Sequence, residues 1–267
     1  MNSKRNEALQ KLGACLPLKR KAVGIRFLFT REEYEACPVP EARARMAYCV
    51  MVKVAGSGTC MKANLALSGC GGGTRALGLE TASERCVSGC EALSFGLYQD
   101  LAVARQEVRS LTFCQHKAYG LLIQPVESYT DTDPHVVVLI TDSFGAMRLI
   151  QSYTYKFGPQ PNFKMTGNQA VCSECTAYPY ESNAINISMF CSGTRYLAGW
   201  GSDEIGVGLP YGRFIETCDG LYQSANGVET DRRKAEIRQN LRQCGLPDPG
   251  LRDGDAYYMR LESAGSK

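Results

Sequence analysis

The stretch VVVLITDSFGAMRLIQSYTYKFG (136–158) predicts the fold more clearly than any other part of the sequence. Its first five residues, 136–140, form an apolar run that is typical of a buried strand. Asp142 or Ser143 can cap the helix that follows, and Gly158 with the proline after it should end that helix. A buried strand that passes through a short turn into an amphipathic helix is a building unit of α/β and mixed α+β folds.

Strands and helices alternate on both sides of this stretch. Runs rich in β-branched and aromatic residues predict further strands at 22–29, 111–114, 118–126, 184–191 and 204–210. Apolar spacing, caps and terminating glycines predict helices at 3–16, 42–56, 81–101, 214–222 and 230–244. We therefore predict an α/β or mixed α+β fold and expect residues 1–267 to form a single domain.

Two segments of the chain, 20–80 and 135–210, resemble each other. Each contains a strand, a helix and a short apolar run that ends in a cysteine, Cys70 or Cys191, with Gly-Thr-Arg a few residues on. We interpret them as two pseudo-repeated strand-helix-strand halves packed as one compact unit, followed by a helical C-terminal tail over 223–267. Coincidence is the alternative, because glycine-rich turns after strands are common.

Charge and hydropathy exclude several classes of protein. The 30 basic and 27 acidic residues leave a net charge of +3, so the chain offers no large basic surface for nucleic acid. The longest apolar run is far below the roughly 18 residues that span a membrane, and the N-terminus has no apolar signal core. We therefore expect a cytoplasmic protein that binds neither nucleic acid nor membrane.

Thirteen cysteines beside only two histidines are the unusual feature of the composition. In a reducing cytosol they indicate metal or redox chemistry rather than disulfides, and a metal site would consist mainly of soft thiolates. Five cysteines lie on apolar faces of predicted helices, and we expect them in the hydrophobic core, namely Cys15, Cys86, Cys90, Cys218 and Cys244. Cysteines beside turn residues are candidates for a site, namely Cys60, Cys70, Cys172, Cys175 and Cys191, with Cys49 undecided.

A series of motifs, AVGIRFLF, CVMVKVAGSG, SGCGG, VVVLITDSFGAM, AVCSEC, NISMFCSGTR and EIGVGLP, resembles the bacterial and archaeal domain of unknown function 169 family over about residues 8–223. The resemblance implies four cysteine ligands, one from each of four motif blocks, at Cys49, Cys70, Cys172 and Cys191. Cys60 and Cys175 are then reserve candidates, which would act as ligands only if one of these four does not. It also implies an anaerobic setting, which suits an oxygen-sensitive cluster. The many additional cysteines leave open a second site built from Cys60, Cys86, Cys90 or Cys175.

These observations lead us to expect a [4Fe-4S] cluster on the four cysteines, in electron transfer or reductive chemistry with a redox partner protein. If the protein is an enzyme, we expect an oxidoreductase. Arg75 and Arg195 would offset the anionic cluster or bind a small anionic ligand, and the glycines 71–73 can form an anion-binding turn.

Other functions remain open from the sequence. Zinc on the same four cysteines would make a binding module for an anionic small molecule or a protein partner. A metal-free enzyme would use Cys172 or Cys191 as a reactive thiol. A tetrapyrrole or corrinoid ligand is a further alternative, although two histidines provide few axial ligands. The oligomeric state is also open, with a homodimer among the alternatives.

Overall fold

A six-stranded antiparallel sheet organises the computed structural model, which describes residues 3–260. The strands are β1 (Val23–Leu28), β2 (Met61–Asn64), β3 (Gly120–Pro125), β4 (Val136–Thr141), β5 (Asn186–Ser188) and β6 (Ile205–Pro210). They are arranged in the order β2-β3-β1-β4-β6-β5, and all neighbours are antiparallel. With helices on both faces of this sheet, the fold is mixed α/β, as predicted.

The strand order divides the sheet at its centre. The first three strands occupy one half, the last three occupy the other, and β1 pairs with β4 between them through residues such as Ile25 and Val136. Read inward from one edge, the strands are β2, β3 and β1, and read inward from the other edge they are β5, β6 and β4. The two orders are the same if β1, β2 and β3 correspond to β4, β5 and β6. The segment 20–80 contributes β1 and β2 to this sheet, the segment 135–210 contributes β4, β5 and β6, and β3 lies outside both segments.

The described residues form eleven α-helices and two π-helices. The α-helices are α1 (Ser3–Cys15), α2 (Arg31–Ala36), α3 (Tyr48–Gly56), α4 (Gly71–Ala76), α5 (Glu84–Val87), α6 (Cys90–Ser94), α7 (Leu101–Ser110), α8 (Ser143–Phe157), α9 (Tyr178–Ser182), α10 (Tyr211–Val228) and α11 (Asp231–Cys244). The π-helices are π1 (Ala170–Ala177) and π2 (Gly193–Leu197). No helix within residues 3–260 is long and apolar enough to cross a membrane.

The two faces of the sheet carry different layers. Alternating side chains explain this, because Val136 and Val138 point to one face while Val137 and Leu139 point to the other. The first, which we call the α3 face, is covered by α3, α4 and π1. The second, which we call the α10 face, is covered over β4 and β6 by α1, α8, α10 and α11. Each face encloses its own hydrophobic core.

Two glycines of β6 allow π1 to lie directly on the sheet. A Cβ added at Gly208 would overlap the carbonyl oxygen of Cys175, and one added at Gly206 would lie 2.8 Å from the Cys175 sulfur. Glycine in a strand often marks such a close approach of another backbone. The alternating glycines of EIGVGLP therefore fix the distance between π1 and the sheet.

Capping residues explain the helices that the sequence predicts best. The Asp142 carboxylate accepts a hydrogen bond of 2.8 Å from the backbone N–H of Gly145 at the start of α8, and Gly158 ends that helix. Thr230 caps α11 in the same way, and Gly245 ends it in a left-handed conformation. Both helices confirm the predicted boundaries.

The region 81–114 differs from the prediction. The predicted helix 81–101 is broken into α5 and α6 at Gly89, where φ is 82° and an added Cβ would lie 2.8 Å from the Arg105 backbone nitrogen. The predicted strand 111–114 forms no ladder, because the Thr112 backbone N–H and C=O both bond to the Ser173 hydroxyl. Contacts from distant segments therefore override the local pattern here.

The C-terminal region also differs from the predicted tail over 223–267. Helix α10 continues through residue 223 to Val228, and α11 packs against α1. Both helices belong to the layer on the α10 face. Residues 261–267 of the predicted tail lie outside the described part of the chain.

Candidate functional site

A cavity of about 280 Å³ beside the α3 face is lined by the four cysteines that the family resemblance selects. Cys49 is the second residue of α3, and Cys70 directly precedes α4. Cys172 is the third residue of π1, and Cys191 lies two residues before π2. Four different segments thus bring one thiol each to this four-cysteine cavity.

Backbone contacts hold the first two cysteines together. The Gly69 N–H donates to the Met46 carbonyl at 2.9 Å, and a Cβ at Gly69 would lie only 3.1 Å from the Met46 backbone. This close approach needs a residue without a side chain. It joins the segment that ends in Cys70 to the start of α3, which carries Cys49.

Thr194 links the other side of the cavity to α3. Its hydroxyl lies 3.2 Å from the Cys191 sulfur, and its backbone N–H donates to the same sulfur at 3.4 Å. The same side chain lowers the pKa of Cys49, although burial raises that pKa overall. Thr194 at the start of π2 therefore orients the Cys191 thiol and acts on Cys49.

Backbone strain occurs next to both π-helices. Gln169, directly before π1, has a φ of 49°, and Phe190, directly before Cys191, has a φ of 72°. Left-handed conformations are uncommon for side chains of this size and cost of order 1 kcal/mol or more each. Both π-helices are also rare geometries that occur often at functional sites. The strained part of the chain thus borders the cavity.

Burial and the neighbouring thiols raise the pKa of two of the cavity thiols, Cys49 and Cys172. Burial raises the pKa of Cys172 well above its usual range, and the neighbouring Cys70, Cys191 and Cys49 thiols raise it further. Burial also raises the pKa of Cys49 from 9.0 to about 11. A metal or cluster would supply the positive charge that ionises these thiols.

The four thiols line one open volume. Within residues 3–260, no group of three or more His, Cys, Asp or Glu side chains is arranged to hold a metal ion. A single zinc ion needs its sulfur ligands at about 2.3 Å, and therefore nearly in contact with one another. A cluster of four irons spreads its four thiolates over a wider volume, one on each iron.

The two arginines predicted to face a cofactor lie in different places. Arg75 lines the cavity, and its Nη2 donates to Glu91 at 2.6 Å. Arg195 does not line it; the guanidinium donates to the carbonyl oxygens of Met189 and Glu204 at 2.9 Å each, and also to that of Gly201. The structure therefore gives Arg195 the role of stabilising the loop between β5 and β6.

The other cysteines and the histidines lie outside the cavity lining. The reserve residue Cys175 is buried against β6, whereas the other reserve, Cys60, is half-buried. Of the cysteines predicted in the core, Cys15, Cys86 and Cys218 are buried as predicted. Cys90 is exposed, contrary to the prediction, and Cys244 is only half-buried. His135 is engaged in the fold, because its Nδ1 accepts the Phe27 N–H at 3.0 Å. Burial lowers the pKa of His135 to about 4.

Several lining residues were not predicted. Gln169 and Asn168 precede π1, Glu91 pairs with Arg75, and Phe95 and Leu197 form an exposed apolar mouth. Periodicity carries no signal for a left-handed residue before a π-helix. Thr194 belongs to the Gly-Thr-Arg sequence that the two similar segments share. That similarity did not indicate that Thr194 contacts the Cys191 sulfur.

One comparison with known proteins identifies a family, and none assigns an activity. A family model, DUF169, described as "Uncharacterised ArCR", matches residues 11–220. An uncharacterized protein of Methanocaldococcus jannaschii is 28% identical over 142 residues, which are 53% of this chain. The matched region spans 60% of the length of that relative. No solved structure matches the chain.

Proposed function

The chain belongs to the domain of unknown function 169 family, and we propose that within it this protein holds a [4Fe-4S] cluster on Cys49, Cys70, Cys172 and Cys191. The observation that carries the proposal is the lining of a single cavity of about 280 Å³ by these four thiols. Four thiolates are the ligand set of a [4Fe-4S] cluster. The role is electron transfer or reductive chemistry in the cytoplasm, with a redox partner protein.

The raised pKa of Cys172 supports a resident cation. Four thiols around one volume repel one another once ionised, and the raised pKa of Cys172 reflects this together with burial. A cavity that served only to bury apolar side chains would gain nothing from four such groups. Bound iron compensates their negative charge and therefore favours the closed arrangement.

Structural zinc sites also use four cysteine thiolates. A zinc-stabilised binding module on the same cysteines is the alternative that the experiment below separates.

Contacts with sulfur support a redox role. The Thr194 N–H and hydroxyl both lie within hydrogen-bonding distance of the Cys191 sulfur. Hydrogen bonds to ligand sulfur shift the potential of an iron-sulfur cluster. Arg75 offers positive charge on the same lining.

We infer, in addition, that the two halves of the sheet are structural pseudo-repeats. In the first half, Cys49 starts the helix before β2 and Cys70 follows β2. In the second half, Cys172 lies near the start of π1 before β5, and Cys191 follows β5. The palindromic strand order supports this match. Each half then contributes two ligands to a site between them.

Anaerobic purification followed by metal and sulfide analysis tests the proposal. We expect about four iron and four sulfide per chain, with broad visible absorbance that bleaches on reduction. Stoichiometric zinc without iron would instead favour the binding module. A folded, colourless protein without bound metal would overturn both and leave the thiol enzyme as the remaining hypothesis.

A further inference from the structure

One end of the four-cysteine cavity contains a polar notch, which we define by Arg75 and Gln169. Two consecutive glycines form its floor: a Cβ at Gly71 would lie 3.4 Å from Arg75 Nη1, and a Cβ at Gly72 would lie 3.4 Å from the Gln169 amide carbon. Both side chains therefore lie against the same short piece of backbone. Cys70 directly precedes these glycines, so the notch adjoins one of the four thiols.

The notch contains polar atoms that the protein leaves without partners. Within residues 3–260, Arg75 Nε and Gln169 Oε1 are buried and form no hydrogen bond. A buried polar atom without a partner costs roughly 1–3 kcal/mol, so such atoms are rare in folded proteins. Neither atom is exposed, but both side chains line the cavity, so a small rotation of each would present a donor and an acceptor to a ligand that offers an acceptor and a donor.

The position of Gln169 is held from behind. The Asn168 side-chain oxygen accepts the Gln169 N–H at 3.0 Å, and the Asn168 amide donates to Glu107 at 3.2 Å. These contacts maintain the left-handed backbone of Gln169, at φ 49° and ψ 51°. Strain that the surroundings maintain at a cavity wall indicates a functional constraint on that side chain.

Charge selects the kind of ligand. The guanidinium of Arg75 is already balanced by Glu91 at 2.6 Å. A carboxylate in the notch would add a second negative charge beside Glu91 and the cavity thiols. A neutral ligand avoids this repulsion and can still use the free N–H of Arg75 Nε. The exposed rings and methyl groups of Phe95 and Leu197 at the mouth suit an apolar body.

We propose that the polar notch binds a neutral molecule through an amide edge, in which a carbonyl oxygen accepts from Arg75 and an adjacent N–H donates to Gln169. Primary carboxamides and lactams have this edge. A primary carboxamide also pairs with the Gln169 amide in either orientation of that side chain, because both groups carry a donor and an acceptor. The inference deepens the proposed function and rests on it, since it names the ligand class of the same cavity.

Binding of benzamide to the anaerobically purified protein tests the inference, with benzoate and N,N-dimethylbenzamide as matched probes. We expect saturable binding of benzamide in calorimetry, and binding of benzoate weaker by at least about tenfold. N,N-dimethylbenzamide lacks the N–H and should bind similarly poorly. Equal or tighter binding of benzoate, or no saturable binding of benzamide, would overturn the inference.

Two conservative variants assign the binding to the notch. Gln169→Asn withdraws the amide and suits the left-handed backbone, and Arg75→Lys keeps the charge beside Glu91 but removes Nε. We expect each to weaken benzamide binding by roughly 3- to 10-fold. The same change at exposed Arg85, Arg85→Lys, should leave it unchanged. Unchanged affinity in both notch variants would contradict the assignment.

The iron content of the same preparations separates this inference from the proposed function. Iron-free protein that binds benzamide through Arg75 and Gln169 would overturn the cluster and keep the notch. Iron-loaded protein that does not bind benzamide would overturn the notch and keep the cluster.

Discussion

The two faces of the sheet bury cysteines for different purposes. On the α10 face, Cys15 and Cys218 are enclosed by packed apolar side chains, and burial raises the pKa of Cys15 to about 12. On the α3 face, Cys49 and Cys172 also have raised pKa values, yet they border an open volume with two further thiols. A raised pKa therefore does not distinguish a core cysteine from a candidate ligand. The shared cavity does.

Removing one thiol from each face should produce the largest contrast. We expect Cys172→Ala to lower the iron content markedly, because the cluster loses one of its four protein ligands. Cys218→Ala should keep the full iron content and lower the free energy of unfolding by about 1 kcal/mol. Iron analysis of both folded variants, purified anaerobically, checks this. Equal iron in both would remove the distinction between the faces.

A methyl group added to the sheet should affect the α3 face next most strongly. Gly208→Ala places a Cβ against the Cys175 backbone and must displace π1, so we expect a loss of about 3 kcal/mol in the free energy of unfolding and less bound iron. Gly212→Ala lies at the start of α10 in open space and should instead stabilise the protein by up to about 1 kcal/mol. Urea unfolding of the metal-free proteins measures both.

The two glycine variants also have a contradicting outcome. A Gly208→Ala protein as stable as the wild type would mean that π1 is not held by its contact with β6. Its iron content would then say nothing about the position of Cys172.

Alkaline pH should give the smallest contrast. Between about pH 9 and pH 11, thiols with raised pKa values keep their protons in the folded protein, whereas the unfolded chain loses them. The free energy of unfolding of the metal-free protein should therefore fall as the pH rises through this range. In metal-loaded protein the cavity thiols are already ionised, so only thiols outside the cavity, such as Cys15 and Cys175, contribute to this loss. Unfolding free energies at about pH 8 and about pH 10, with and without metal, test the difference. An equal loss in both forms would mean that the cavity thiols hold no metal.

Much of the fold follows from local sequence. The apolar run of β4 and the caps Asp142 and Thr230 predict their elements because the signals lie within a few residues of the structures they specify. The break at Gly89 and the absence of a strand at 111–114 depend on Arg105 and Ser173, which are distant in sequence. The antiparallel strand order likewise depends on long-range pairing.

The site was only partly accessible from sequence. Residue chemistry alone left six candidate cysteines, and the family resemblance reduced them to the four that line the cavity. It did not reveal Gln169 or Thr194, whose positions depend on a left-handed residue and a π-helix. Charge reasoning from the sequence placed Arg195 beside a cofactor, whereas backbone carbonyls of its own loop hold that guanidinium in the structure.

The central β1–β4 pair also sets an order of events in time. Val136 lies 111 positions after its partner Ile25, so this pairing closes a long loop, and such closures are slow steps of folding. Cys49 and Cys70 belong to the segment before the closure, whereas Cys172 and Cys191 follow it. A partly folded chain therefore presents at most two neighbouring thiols from one side. The slow meeting of the two halves determines the earliest moment at which all four can share a ligand.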